Sequence, residues 1–291
     1  MTSPALDIPP AWEKIDCAAI RDVLMVVGAT DTGKSTFARY LYQRLCAQPG
    51  LRAAYLDGDP GQSTLGPPTT LTLALGNRGD ASFPPAGPLW RRFVQATSPR
   101  GHMLPMLVGA ARLVQAAHDA GATAVVYDTS GLVSSVDGGV NLKHAKIELL
   151  RPSVVFAIQR DRELEPLIAP LRRQVRLVEL RASLAAQRRD VPTRQTYRAS
   201  QYARYFSAAR SLIVDWGRLA VFPVPRFAFN QLVALEDAGG FTLALGWVEL
   251  AELKARRVTL RTPLASLDQV NALRLGDVTL DPGTFRDQPL S

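Results

Sequence analysis

Short apolar runs closed by a polar or glycine position recur through the first 180 residues, separated by longer stretches with helical spacing. The runs near 23–27, 52–57, 123–128, 153–158 and 175–180 predict strands, and the periodic stretches near 34–46, 104–120, 139–150 and 162–173 predict helices. This alternation predicts an α/β fold, a parallel sheet with helices on both faces. Residues 76–101 are rich in Pro and Gly and predict an irregular excursion. Residues 181–210 lack apolar periodicity but carry Arg188, Arg189, Arg194, Arg198, Arg204 and Arg210, which suggests a mobile basic helical lid. Past 215 the pattern changes to short β-like runs, Leu232–Leu235, Phe241–Leu245 and Val258–Leu260, separated by Gly-Gly and Pro turns. The expected division is an N-terminal extension (1–21), a nucleotide-binding domain (22–210) with the lid at 181–210, and a small β-rich domain (211–291).

The first predicted strand, Val23–Val27, runs into Gly28, Ala29, Thr30, Asp31, Thr32, Gly33, Lys34, Ser35 and Thr36, and a helical pattern follows. Strand, glycine-bearing loop and helix in that order form the phosphate-binding loop of P-loop NTPases. The glycines let successive backbone N–H groups turn inward around phosphate oxygens, and the helix aims its positive end at the same place. Lys34 in this pattern reaches the β- and γ-phosphates, and the Ser35 hydroxyl ligates Mg²⁺. All nine residues from Gly28 to Thr36 are expected to line the nucleotide.

Two further strand ends carry carboxylates, where ligands of such sheets bind. The second strand ends Asp57-Gly58-Asp59-Pro60-Gly61-Gln62. Beside a triphosphate, one of Asp57 and Asp59 can support Mg²⁺ and the other can accept the proton of an attacking hydroxyl. The third ends Val125-Val126-Tyr127-Asp128-Thr129-Ser130-Gly131, and Asp128 fits the second acidic motif of P-loop NTPases as a metal-supporting residue.

Charge narrows the acceptor. The chain carries a net +8, and residues 151–210 hold thirteen arginines, no lysine and five acidic residues, so one segment contains the whole excess. Coding bias explains the preference for Arg over Lys but not the clustering, and a local basic surface implies a polyanionic partner. No apolar run approaches the roughly 20 residues of a membrane span, so no membrane partner is expected. Cys17 and Cys46 lack metal-ligand spacing, and the N-terminus lacks the order of a signal peptide; the expected compartment is a reducing cytoplasm.

Three readings are open at this point: a guanine-nucleotide switch, a small-metabolite kinase and a kinase of nucleic-acid ends. The switch lacks an Asn-Lys-x-Asp segment, and a metabolite kinase leaves the β-rich tail and basic segment without use. The chain resembles the polynucleotide 5′-hydroxyl kinases, RNA-end kinases related to those of mRNA 3′-end cleavage and ribosomal RNA processing. The resemblance rests on Asp59-Pro60-Gly61-Gln62, on Thr97-Ser98-Pro99, on Thr129-Ser130-Gly131, and on Arg194 and Arg198 running into Tyr205-Phe206, in that order after the phosphate loop. Leu132 stands where that family usually has a Trp that grips the terminal nucleotide. The resemblance implies a compact member without the N-terminal β domain of larger ones.

It further implies transfer of the γ-phosphate of ATP, with Mg²⁺, to single-stranded RNA or DNA 5′ ends. In that scheme Lys34, Asp59, Arg194 and Arg198 are catalytic, with Asp59 as general base and the arginines closing over the triphosphate. Gln62, Thr129 and Gly131 contact the acceptor side, and Ser35 with Asp57 or Asp128 holds the metal. The alternatives are a nucleotide-dependent RNA-processing scaffold and an RNA-stimulated ATPase that leaves the RNA end unmodified.

Overall fold

The computed structural model describes residues 8–17, 20–183 and 185–290. The expected N-terminal extension therefore lies partly outside the described residues. Within it α1 (Pro10–Glu13) is one turn of helix that buries Trp12 against Phe37, the rings 5.0 Å apart and edge to face.

The chain packs as two compact units: one formed by Met1–Tyr55, Ala74–Pro88 and Ala117–Arg188, the other by Leu56–Leu73, Leu89–Ala116 and Arg189–Ser291. The first contains β1 (Asp22–Gly28), α2 (Lys34–Cys46) and the start of β2 (Ala53–Gly58). It continues with β5 (Ala124–Thr129), α4 (Gly139–Leu150), β6 (Val154–Gln159), α5 (Glu165–Ile168) and β7 (Leu177–Arg181). Its strands lie in the order β2-β5-β1-β6-β7, and β5, β1, β6 and β7 are parallel. Six consecutive residues of β1 are buried, as is all of β5. Side chains alternate across a strand, so this burial means that both faces of the sheet are covered. In register, Val26 of β1 faces Asp128 on one side and Phe156 on the other, so the carboxyl ends of β1 and β5 lie together.

In the second unit the continuation of β2 pairs with β3 (Thr70–Leu75) and β3 with β4 (Leu89–Phe93), and α3 (Met103–Asp119) begins here. It also holds α6 (Val191–Tyr205) and a second sheet of β8 (Arg210–Asp215), β9 (Ala220–Phe222), β10 (Gln231–Glu236), β11 (Thr242–Glu252), β12 (Arg257–Thr262), β13 (Ala272–Leu280) and β14 (Asp287–Pro289). The order is β14-β13-β10-β11-β12-β8, antiparallel throughout, with β9 joining β13 in parallel. Leu232 and Ala234 of β10 point into one core with Leu245 and Trp247, while Val233 and Leu235 point into another with Val214, Leu260 and Leu273. Tyr202 and Phe206, from the end of α6, fill the first core.

Most predicted elements are present, with three corrections. The helix expected over 162–173 is only α5 followed by one 3-10 turn, Pro170–Arg173, because Pro166 and Pro170 each remove a backbone donor. The excursion expected over 76–101 contains β4. The lid segment begins as the end of β7, and its helix starts only at Val191, where the Asp190 carboxylate caps the Thr193 amide at 2.8 Å. Leu184 of that segment lies outside the described residues. Among the described residues no helix is long and apolar enough to cross a membrane.

Candidate active site

In the first unit β1 ends at Gly28, where a Cβ would stand 2.6 Å from the Ile158 carbonyl oxygen of the neighbouring strand. Only glycine lets the chain leave the sheet this close to β6. The loop closes on itself: Thr32 Oγ1 donates to the Ala29 carbonyl at 2.9 Å, and Lys34 Nζ donates to the same oxygen at 2.6 Å. Gly33 takes φ 87° and precedes α2 without a side-chain cap. The positive end of α2 thus opens at this loop, a cradle for an anion. Lys34 is buried, and Ser35 lies half-buried beside it.

The Asp128–Gly131 segment closes against this loop. A Cβ on Gly131 would lie 2.8 Å from the Thr30 amide nitrogen and Cα. Asp128 is buried, and the Tyr55 hydroxyl donates to its Oδ2 at 3.1 Å. The Thr129 hydroxyl donates to the Val26 carbonyl at 2.7 Å, so its proton is committed to β1. Gly131→Ala is expected to lower nucleotide affinity about tenfold or more, because the methyl group meets backbone that cannot swing aside. Titration with ATP checks this, with circular dichroism to establish that the variant is folded.

In the second unit Asp57 is fully enclosed and organises the loop that follows it. Its Oδ2 accepts from Ser63 Oγ (2.9 Å), Thr64 N (2.6 Å), Thr64 Oγ1 (3.2 Å) and Leu65 N (3.0 Å). Burial pushes its carboxyl above the ordinary range, while the Leu65 and Thr64 amides and the Ser63 hydroxyl pull it down. Asp59 is held differently. Its Oδ1 accepts the Gly61 and Gln62 amides at 2.9 and 3.0 Å, which fixes the carboxylate plane, and no described residue bonds its Oδ2. A Cβ on Gly61 would meet the Thr97 carbonyl at 2.5 Å, so the Asp-x-Gly-Gln turn rests on the Thr-Ser-Pro stretch. Helix α6 is tied to the same turn: Gln62 Nε2 donates to the Arg194 carbonyl at 3.4 Å, and the Tyr197 hydroxyl to the Ser63 carbonyl at 2.9 Å.

The sequence-predicted residues thus fall into two groups. Residues 28–36, Asp128, Thr129 and Gly131 assemble in the first unit; Asp57, Asp59, Gln62, Arg194 and Arg198 belong to the second. Sequence reasoning missed four residues. Arg160 donates through Nη2 to the Asp31 carbonyl and, at 2.9 Å, to that of Ala186, clamping the phosphate loop. Lys143 is buried and donates to the Ser130 carbonyl at 2.7 Å, and buried Lys146 bonds the Tyr127 hydroxyl, so two lysine amines tie down the Asp128 segment. Asp287 pairs with Arg198, Oδ1 to Nε at 2.8 Å. Among the described residues no group of three His, Cys, Asp or Glu could hold a metal.

A family model described as "mRNA cleavage and polyadenylation factor CLP1 P-loop" matches residues 28–208. The chain is 32% identical over 187 residues to the polyribonucleotide 5′-hydroxyl-kinase of Pyrococcus furiosus, covering 64% of this chain and 51% of that protein. It is 31% identical over 229 residues to the polyribonucleotide 5′-hydroxyl-kinase of Thermococcus kodakarensis, covering 77% and 64%. With the one from Pyrococcus abyssi the identity is 24%, covering 92% and 90%. The chain spans 51% to 64% of the length of the first four such relatives. Among solved structures, the wild-type Clp1p–Pcf11p (454–563) complex aligns with a TM-score of 0.69 at 14% identity, over 92% of this chain and 77% of that one. At that identity the likeness is one of fold.

Proposed function

The chain belongs to the family of the mRNA cleavage and polyadenylation factor CLP1 P-loop, and on that premise we propose that it is an ATP-dependent polynucleotide kinase acting on single-stranded RNA 5′-hydroxyl ends. The observation that carries this reading is the Asp59 carboxylate. Two backbone amides hold one oxygen, and the other is left for a proton.

In the proposed reaction the acceptor's 5′ oxygen attacks the γ-phosphorus, the bond to the β-bridging oxygen breaks, and ADP leaves. Asp59 Oδ2 takes the hydroxyl proton. Lys34 and the amides of residues 28–36 hold the β- and γ-phosphates. Ser35 and Asp128 are the residues suited to hold Mg²⁺; Asp57 is less suited, because its oxygens already serve the 59–65 loop. Bound Mg²⁺ supplies neutralisation of charge on the β- and γ-oxygens. Gln62 and Gly131 shape the acceptor side; Thr129 does so by position, since its hydroxyl already donates to the Val26 carbonyl. Arg194 and Arg198 offset charge spreading over the equatorial oxygens. The relatives named polyribonucleotide 5′-hydroxyl-kinases support the reading.

Incubation with γ-labelled ATP and 5′-hydroxyl RNA tests it, and label on the RNA end is the expected result. Label released as free phosphate only moves the reading to an RNA-stimulated ATPase; no turnover moves it to a scaffold. A parallel DNA acceptor decides the sugar preference. If the arginines of 188–210 contact two or three backbone phosphates, the logarithm of RNA affinity is expected to fall against log salt with a slope of about −1.5 to −2. A flat dependence points to a small acceptor.

A further inference from the structure

The second unit contains a cleft of about 480 Å³ whose lining takes only Phe206 from the kinase motifs. Phe206, Phe229, Asn230, Trp247, Arg261 and Phe285 line it. Phe206 and Phe285 stand edge-on to Trp247, at 4.7 and 6.2 Å between ring centres. They form a rigid apolar wall, while the Phe229 side of the cleft is open, that residue being 70% exposed.

Asn230 is the unusual member. It sits at φ 60°, pinned by its amide to the Val248 carbonyl and by its carbonyl to the Leu280 amide, at 2.8 and 2.9 Å. Its side-chain Oδ1 is buried, with no partner among the described residues. A buried acceptor left unsatisfied costs stability unless something donates to it. Glu249 places a second acceptor in the same lining, and Arg261 places a cation beside Trp247 in register.

We propose that this cleft takes a nucleobase bearing an exocyclic amino group, from the single-stranded acceptor downstream of its 5′ end. The ring stacks on Phe229 against the aromatic wall, Asn230 turns its enclosed Oδ1 outward to accept from the amino group, and Arg261 meets the adjoining phosphate. Stacking on aromatic side chains beside cationic groups is how proteins hold single strands. The location fits: α6 carries Arg198 and ends beside Phe206, about 12 Å further along the helix axis. The inference rests on the kinase reading for the identity of the strand.

The test compares acceptor KM values of the full chain for a dinucleotide, a longer oligoadenylate and a longer oligouridylate. The oligoadenylate is expected to have the lowest KM. Phe229→Ala is expected to raise that KM roughly five- to hundredfold, the range of one base–aromatic stack. Asn230→Gly keeps the backbone geometry and is expected to erase the preference for adenylate over uridylate. An unchanged oligoadenylate KM in Phe229→Ala overturns the proposal. So does a change in self-association, or in capture of a protein segment, with acceptor KM unmoved. Should the wild type phosphorylate no acceptor, the kinase reading fails by itself. The cleft is then judged by anisotropy of fluorescent 5′-phosphorylated oligoadenylate, where the same factor in Phe229→Ala supports it and equal binding overturns it.

Discussion

Asp59→Asn is expected to lower the rate of RNA 5′-phosphorylation by about 10²–10⁴-fold, the usual contribution of a positioned general base, and to leave ATP affinity nearly unchanged. The substitution separates two things that one side chain does. Asparagine still offers an oxygen to the Gly61 and Gln62 amides, so the turn that rests on Thr97 keeps its shape. What disappears is the second, anionic oxygen. Single-turnover phosphorylation and ATP titration of the same preparation make the distinction. A matching loss of ATP affinity assigns Asp59 to the metal and removes it from proton transfer.

Arg198→Ala is expected to slow turnover by about 10³–10⁵-fold, the range of an arginine that neutralises transition-state charge. The structure adds a complication. Arg198 is paired with Asp287, 17% and 7% exposed respectively, and Thr97 Oγ1 lies 3.4 Å from the same carboxylate. Removing the guanidinium leaves a largely buried carboxylate short of a partner, which costs about 1–3 kcal/mol of stability. Asp287→Asn is the control, because it weakens the same pair while leaving Arg198 in place. If Arg198 acts on the triphosphate, Asp287→Asn retains most of the rate and only Arg198→Ala loses it. If both variants lose rate in proportion to their melting temperatures, Arg198 is a strut of α6.

The phosphate loop and its flanks were readable because local chemistry dictates them. A buried strand must be apolar, and a loop that wraps phosphate must begin and end on glycine. The position of Asp128 near the end of β5 was readable for the same reason, since the apolar run before it marks a buried strand. The failures are equally physical. The helix expected at 162–173 has the right apolar spacing, but Pro166 and Pro170 break it. The strand Leu89–Phe93 was hidden because Leu, Trp and Phe alternate with two arginines inside a stretch punctuated by Pro and Gly. Arg160 was illegible because both its acceptors are backbone carbonyls, which leave no residue signature. Asp287 lies 89 residues from Arg198, and nothing local marks that pairing. Lys143 and Lys146 did leave a trace. Only five of the 34 lysine and arginine residues are lysine, and three of those five, with Lys34, are buried.

That distribution has a practical side. Lys14 and Lys254 are the exposed lysines, and Lys254 lies in the tight turn joining β11 to β12. Amine-directed acylation therefore finds few side chains and spares the three around the nucleotide loop. A surface coupled through Lys254 would tether the molecule by a hairpin tip, so immobilised preparations are expected to retain ATP binding.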